Sequence, residues 1–322
     1  MTKKILVTGG AGYIGSHMVR MLTQSGFQPV VLDDLSTGHA EFTQNAPFIK
    51  ARTGDVSALD DLFKAHKFAG VLHFAAFSLV AESMTNPAKY FENNVEQTRI
   101  LLKTMVRHKV DNFVLSSTAA IFGNPEYLPI DEAHPKNPIN PYGESKLQVE
   151  QMLGDFAAQH GLKYGCLRYF NAAGAEDGLW EWHDPETHLI PIIFQVLGGI
   201  RPKLQIYGND YQTPDGTCIR DYIHVTDLCR AHLQLLEYLW NGGEIRHFNL
   251  GTGNGYSVKE VIDAVEVATG CKVPHEYAPR RTGDPAILVA DNSLAQKILG
   301  AEFKYGLDDI VRSINPQKYL KP

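Results

Sequence analysis

Tyr142 and Lys146 stand four residues apart in the run Pro141-Tyr142-Gly143-Glu144-Ser145-Lys146. Proline suits the first position of a helix, and a spacing of four places both side chains on one helix face, about 6 Å apart along the axis. A phenol ordinarily loses its proton near pH ~10. A neighbouring ammonium group and the positive charge of an oxidised nicotinamide both favour the phenolate, which makes Tyr142 a usable general base near neutral pH. Upstream, Ser116-Ser117-Thr118 closes an apolar run, and the Thr118 hydroxyl can share a hydrogen bond with a substrate oxygen and relay its proton. The pair alone is a weak signal, since such spacings are common on helix surfaces. Its weight comes from what precedes it.

That is a glycine loop, Thr8-Gly9-Gly10-Ala11-Gly12-Tyr13-Ile14-Gly15, directly after the first apolar run. It satisfies G-x-G-x-x-G at 10, 12 and 15 and G-x-x-G-x-x-G at 9, 12 and 15. Glycine permits the tight turn, lets backbone N–H groups approach a pyrophosphate, and allows a helix to pack closely on a strand. The helix N-terminus adds partial positive charge. Asp33 ends the next apolar run 18 residues beyond Gly15, near the ~20 expected of the acid that binds adenosine ribose hydroxyls. A carboxylate there repels a 2′-phosphate, and no Arg or Lys follows before Lys50, so NAD is expected rather than NADP. Asp55, in Thr53-Gly54-Asp55-Val56, fits two roles equally: acceptor for an adenine amino group, or helix N-cap.

Such residues need strand ends and helix starts to hold them. Apolar runs predict strands at Lys4–Thr8, Pro29–Asp33, Gly70–Phe74, Asn112–Ser116 and Tyr164–Arg168. Amphipathic stretches between them predict helices at Tyr13–Gln24, Ala58–His66, Asn93–His108 and Tyr142–His160. Five strands separated by helices imply right-handed βαβ crossovers, hence an α/β fold with a Rossmann-type doubly wound parallel sheet. After Asn171 the pattern is irregular, with helices near Ile190–Leu197, Val225–Tyr238 and Val258–Thr269, a strand-like Arg246–Leu250 and an Arg/Asp-rich loop at 278–285. The expected division is a dinucleotide-binding domain over 1–172, with a returning segment at about 219–252, and a smaller mixed α/β lobe over 173–218 and 253–322.

Composition narrows the function classes. The 322 residues include 30 basic and 36 acidic side chains, a formal charge of -6, which disfavours a nucleic-acid partner. No apolar run approaches the ~18–20 residues of a membrane span. Ile5-Leu6-Val7 is too short for a signal peptide and ends in glycines, so it reads as a strand. Four cysteines without C-x-x-C spacing argue against a disulfide framework or a zinc site, and no metal is expected. A cytoplasmic enzyme fits these features.

The chain resembles the extended short-chain dehydrogenase/reductase superfamily and, within it, the UDP-glucose 4-epimerase (UDP-galactose 4-epimerase) family. The resemblance runs nearly end to end, through the glycine loop, His73-Phe74-Ala75-Ala76, Asn93-Asn94-Val95, the Tyr142 motif and Leu167-Arg168-Tyr169-Phe170-Asn171. Its most specific stretch is Ile206-Tyr207-Gly208-Asn209-Asp210-Tyr211 followed by Asp215 through Val225. It implies that Tyr142 takes the proton of sugar O4 while hydride passes from C4 to NAD, and that the 4-keto sugar turns over and receives the hydride on its other face. By the same resemblance, NAD would be held by Gly9, Gly12, Tyr13, Ile14, Gly15, Asp33, Asp55, Val56, Phe74, Ala75, Ala76, Asn94, Ser116, Tyr142, Lys146 and Tyr169. The UDP-hexose would meet Ser78, Thr118, Tyr142, Asn171, His188, Leu189, Tyr207, Arg220, Arg281, Asp284 and Leu288. Tyr142, Lys146 and Thr118 would be catalytic, Arg220 and Arg281 would clamp the diphosphate, Asp284 would take the uridine ribose and Tyr207 the uracil. His224 is expected beneath the site, not in it. A homodimer through the helices at 93–108 and 142–160 is also implied, although Ile100, Leu101, Met105, Leu147 and Met152 equally suit a core.

Some positions depart from the family pattern. Ser78 stands where some members carry lysine, His188 where asparagine is frequent, and Thr118 where serine is commoner. Leu288 stands where a tyrosine restricts some members to plain hexoses, so UDP-N-acetylhexosamines become candidate substrates. Ala119-Ala120 lacks the Asp-Glu pair of sugar-nucleotide dehydratases, the Glu of decarboxylases and the Cys of epimerase-reductases. An epimerase of UDP-glucuronate is the remaining alternative.

Overall fold

The computed structural model describes residues 2–281 and 284–320; Met1, Lys321 and Pro322, and Thr282 and Gly283 of the expected Arg/Asp-rich loop, lie outside the described residues. Seven parallel strands form the central sheet: β1 (Lys4–Thr8), β2 (Gln28–Asp33), β3 (Phe48–Lys50), β4 (Phe68–His73), β5 (Asn112–Thr118), β6 (Lys163–Tyr169) and β10 (Arg246–Leu250). Their order is β10-β6-β5-β4-β1-β2-β3. The chain steps outward from β1 to β3, then crosses back to β4 and runs the other way. This reversal opens a crevice between β1 and β4, at the C-terminal ends of the strands, where open α/β sheets bind ligands.

Both sheet faces are covered, which explains why Ile5-Leu6-Val7 and Val71-Leu72 are wholly buried. On one face α1 (Tyr13–Gln24) and α8 (Val225–Trp240) bury Met18, Leu22, Leu228 and Leu235 against Val7, Val114 and Leu167. The opposite face carries α2 (Val56–Ala65), α5 (Gln97–Arg107) and α6 (Pro141–His160), preceded by the short turns α3 (Val80–Thr85) and α4 (Pro87–Tyr90). Leu101, Met105 and Met152 belong to this core, whereas Ile100 is only partly buried beside it.

The sheet has two more strands than the five expected. β3 is three residues long with no buried position, too short to show a period. β10 keeps the bounds of the strand-like Arg246–Leu250, but the excursion through the small lobe between Tyr169 and α8 separates it from β6 along the chain, so that pairing was not visible locally. The helix expected over 93–108 opens as a π-helical stretch, Phe91–Glu96, before α5 begins.

The small lobe is built on a sheet in which β9 (Ile219–His224) pairs with β7 (Asn171–Ala173), β11 (Gly255–Ser257) and β13 (Ile287–Leu288). A second pair joins β8 (Leu204–Tyr207) to β12 (His275–Ala278). α7 (Leu189–Leu197), α9 (Val258–Thr269) and α11 (Leu307–Ser313) enclose its core, while α10 (Ser293–Leu299) packs on α8 and β10. Of the returning segment, α8 and β10 join the large layer structure, and β9 stays in the small sheet. No described helix is long and apolar enough to cross a membrane.

Candidate active site

A cleft of about 650 Å³ lies over the C-terminal ends of β1, β4, β5 and β6 and is closed on its far side by the small lobe. Its floor is the glycine loop. Gly9 has φ +73°, and a Cβ there would stand 2.5 Å from the backbone nitrogen of Ala75; a Cβ on Gly15 would stand 2.0 Å from the carbonyl oxygen of Gly9. Only bare backbone fits, and α1 starts from Gly12 with no side chain capping it. Its first N–H groups are left for an anion. Asp33, 7% exposed, accepts N–H bonds from Ala11 at 3.0 Å and Leu35 at 2.9 Å. These residues fit NAD: an uncapped helix start for the pyrophosphate and a fixed carboxylate for the ribose.

Gly9, Gly12, Tyr13, Ile14, Gly15, Asp33, Phe74, Ala75, Ala76, Ser116, Tyr142, Lys146 and Tyr169 all line this cleft. Asp55 and Val56 do not; the wall beyond Asp33 is made by Ala51, Arg52 and Thr53. Of the two roles open to Asp55, the structure displays the helix cap, with its carboxylate accepting from Ala58 N–H at 3.0 Å. Asn94 sits behind the wall. It accepts from Phe77 N–H at 2.9 Å and donates to Phe77 O and Ser145 Oγ at 3.0 Å each, so it shapes the lining segment, and Asn93 reaches the cleft instead.

The reactive end is assembled from β5 and α6. Asn140 caps α6 by accepting from Gly143 N–H at 2.8 Å, and Pro141 occupies its first turn, which fixes Tyr142 and Lys146 one turn apart. Lys146 donates to the carbonyl of Ser116 at 2.9 Å, and Ser116 Oγ hydrogen-bonds to the Tyr169 hydroxyl. From the sequence, the ammonium group is expected to lower the phenol's pKa. In the protein, burial instead pushes Tyr142 up to about 12, with the Thr118 hydroxyl pulling the other way. Burial also lowers Lys146 to about 8. Of the two influences named for a phenolate, the ammonium does not bring the buried phenol down, and the nicotinamide's charge is the one left.

Ser78 lines the cleft from the segment after β4, and Asn171, His188, Arg220, Asp284 and Leu288 line it from the small-lobe side. Arg220, 9% exposed, donates to the Asp284 carboxylate, so two residues expected in separate roles form one ion pair. Leu288 packs beside Phe170 and Leu147 against the cluster of Ala119, Ile121, Phe122 and Ile130. Three expected contacts stand off the lining: Leu189, at the start of α7, Tyr207, and Arg281, whose guanidinium lies 3.9 Å over the Tyr207 ring. His224 is buried beneath the site as expected, accepting from Thr226 N–H at 3.1 Å, and burial lowers it to about 4.

Sequence reasoning passed over two groups. Glu181, His183, Asp184 and Pro185 line the cleft from the loop before α7. Their signal was the spacing Glu181-x-His183-x-x-Glu186-x-His188, which is readable but was absorbed into an irregular segment. Behind Lys146, Glu150 accepts from Arg168 at 2.6 and 3.0 Å and from Ser117 at 2.6 Å, linking α6, β6 and β5.

The sequence profile of the NAD dependent epimerase/dehydratase family matches residues 5–251. The UDP-glucose 4-epimerase of Halalkalibacterium halodurans is 52% identical over 303 residues, covering 94% of this chain and 91% of that protein. The crystal structure of UDP-glucose 4-epimerase from Brucella ovis in complex with NAD superposes with a TM-score of 0.96 at 46% identity, covering 99% of both chains. That of UDP-glucose-4-epimerase from Stenotrophomonas maltophila, with bound NAD and formylated UDP-arabinopyranose, gives 0.94 at 40% identity, covering 98% of this chain and 97% of that one.

Proposed function

The chain belongs to the NAD dependent epimerase/dehydratase family, and we propose that it interconverts UDP-galactose and UDP-glucose by inverting sugar C4 through a 4-keto intermediate. The observation that carries this reading is one cleft holding Thr118, Tyr142 and Lys146 at the glycine-loop side and Arg220, Asp284 and Leu288 opposite. NAD, when bound over the glycine loop, supplies the hydride acceptor and donor for C4. Tyr142 Oη takes the O4 proton and later returns it, Thr118 orients that oxygen, and Lys146, held by Ser116, keeps the phenol's neighbourhood positive. Arg220 offers a planar fork to the diphosphate, exchanging part of its bond to Asp284 for phosphate oxygens. Ala119 and Ala120 bring no second acid or base to this end of the cleft, which suits hydride return over elimination.

Residues 1–172 with about 225–252 serve as the cofactor domain, and 173–224, with β9 and its Arg220, together with 253–322 as the sugar-nucleotide lobe. The working form is a cytoplasmic homodimer through α5 and α6, whose half-buried Ile100, Leu147 and Phe156 would be covered. Light scattering should return about twice the 35.8 kDa chain mass. For the reaction itself, purified protein is incubated with UDP-galactose without added cofactor, and UDP-glucose is sought by chromatography. A folded, NAD-loaded sample that forms none defeats the reading.

A further inference from the structure

Glu181 and Glu186 are 6% and 5% exposed, yet their only ion pairs among the described residues are with histidines. His188 Nδ1 stands 2.8 Å from Glu186 Oε1 and 3.0 Å from Glu181 Oε1. His183 Nδ1 stands 3.5 Å from a carboxylate oxygen of each. Glu186 Oε1 also accepts the backbone N–H groups of Thr187 at 2.8 Å and His188 at 2.9 Å, which fixes the carboxylate in place. Ionised carboxylates out of water need cationic or hydrogen-bonding partners; beyond the two backbone N–H groups on Glu186, imidazole is the only side-chain cation that either carboxylate meets among the described residues.

Two carboxylates at Nδ1 keep a proton on that nitrogen, so the charge of His188 is decided at Nε2. A neutral ring offers a lone pair there, which repels phosphate oxygens; a charged ring offers an N–H. His188 lines the cleft on the wall that holds Glu181 and His183, and it is the N-cap of α7, which no side chain caps. The free N–H groups of that helix start add partial positive charge at the same place.

We infer that Glu181 and Glu186 are positioning residues that, with His183 beside them, present His188 to the cleft as a cation for the substrate's diphosphate. This rests on reading the cleft as a sugar-nucleotide site. Burial opposes charge on His188 and also pushes the Glu181 carboxyl up, but the imidazoles hold Glu186 well below its ordinary range, and together the two carboxylates raise the ring to about 9. The other groups facing the cluster do not supply that charge. Tyr13, from α1, meets His183 edge-on, and the Tyr319 hydroxyl donates to the carbonyl of Glu181 at 2.8 Å; burial pushes both phenols up, so both stay neutral. Arg201 donates to the backbone oxygen of Glu186 at 2.8 Å, not to its carboxylate. Arg220 and Asp284, elsewhere on the lining, pair with each other, and Asp184 is a further acid of the same loop.

The test is calorimetric binding of UDP-glucose, whose diphosphate does not titrate in the range, to NAD-loaded enzyme from pH 6 to pH 8.5. Wild-type affinity should stay level to pH 8. In Glu186→Gln the remaining Glu181 still offsets burial, so the ring should return toward the ordinary imidazole value of ~6.5 and the variant should bind as wild type at pH 6. At pH 8 the variant should be about tenfold weaker, the loss of one charge-assisted contact. NMR titration of the His188 ring in the intact protein reads the same charge without a variant and should find it protonated at pH 8. A neutral ring at pH 7.5, an equal loss at both pH values in Glu186→Gln, or a stoichiometric divalent ion whose removal by EDTA abolishes binding would each overturn the inference. Should wild type not bind UDP-glucose at any pH, the sugar-nucleotide reading itself falls.

Discussion

Tyr142 is nine-tenths buried and its hydroxyl stands in the cleft within hydrogen-bonding reach of Thr118, so the reaction should depend on it steeply. Tyr142→Phe removes one oxygen and keeps the ring. We expect kcat to fall by about 10²–10⁴-fold, the usual worth of a general base, with bound NAD and melting temperature close to wild type. Near-normal turnover would remove Tyr142 from that role. Leu288 acts at the same scale by its size. It lines the cleft and packs with Phe170 and Leu147, and leucine is shorter than the tyrosine of some family members at that place. Wild type should therefore turn over UDP-N-acetylgalactosamine as well as UDP-galactose, and Leu288→Tyr should depress the acetylated substrate selectively. Parallel rate measurements on both sugars check this, and no turnover of the acetylated one by wild type sinks it. At this scale most of the site was legible, because Tyr142, Lys146, Thr118, Gly9 and Asp33 carry their chemistry in spacings relative to strand ends. Tyr207 and Arg281 stand off the lining with the guanidinium stacked on the ring, a pairing that no local spacing announces. Arg220 and Asp284 carry separate expectations because they stand 64 positions apart in the sequence, and the pairing of β13 with β9 brings them together.

Among elements, the junction of α6, β5 and β6 carries the reactive residues, and it is pinned from behind by Glu150. Burial pushes that carboxyl up, but Arg168 and the Ser117 hydroxyl hold it below its usual range. Both partners are nearly inaccessible, 2% and 4% exposed at the side chain. Glu150→Gln leaves the Arg168 charge unpaired in the interior and should destabilise the protein by about 3–5 kcal/mol, read as a drop in urea midpoint at pH 7. Because the native carboxyl is depressed, its contribution is complete above the unfolded value of ~4.5 and is lost as pH falls through the native value. The gap between wild type and variant should therefore narrow on acidification, and a gap that is constant from pH 7 to pH 4 contradicts the ion-pair account. The elements themselves were legible where local signals bracket them. α1 and α9 agree with expectation at both ends, α1 opened by the glycine loop, α9 by the Ser257–Glu260 capping box and closed by Gly270 in the left-handed region. β3 and the π-helical start before α5 were not, since one is too short for a period and the other alters the period within a continuous helical pattern.

Over the whole molecule, cofactor retention depends on how the two lobes are tied across the cleft. An epimerase returns its hydride to the same substrate, so it gains nothing by releasing NAD between turnovers. The loop that follows Asp33 is fastened at its far end: His39 stacks on Trp182 of the small lobe with ring centroids 3.7 Å apart and planes within 9°. Trp182 in turn stacks on Trp180 at 5.7 Å, and Phe42 meets Trp180 edge-on at 4.8 Å. Asp34, Ser36 and Thr37, between the ribose acid and this stack, line the cleft. The lobes are also joined by the Tyr13 hydroxyl donating to Gly174 O at 2.6 Å and by Lys304 N–H donating to Asp227 at 2.7 Å. These bonds are buried or part-buried, whereas Trp182 is 40% exposed, so the aromatic stack is the tie that can be removed with least damage to the core. Trp182→Ala should cost roughly the 0.5–1.5 kcal/mol of an aromatic pair, which corresponds to a NAD dissociation rate about 2–12-fold faster. The rate is measured as NAD remaining on the protein during dialysis, with Val267→Ala, at a 78% exposed site on α9, as the control. Unchanged retention in Trp182→Ala would mean that the stack orders the small lobe alone and that the cofactor is held by the glycine loop and Asp33 without help from across the cleft.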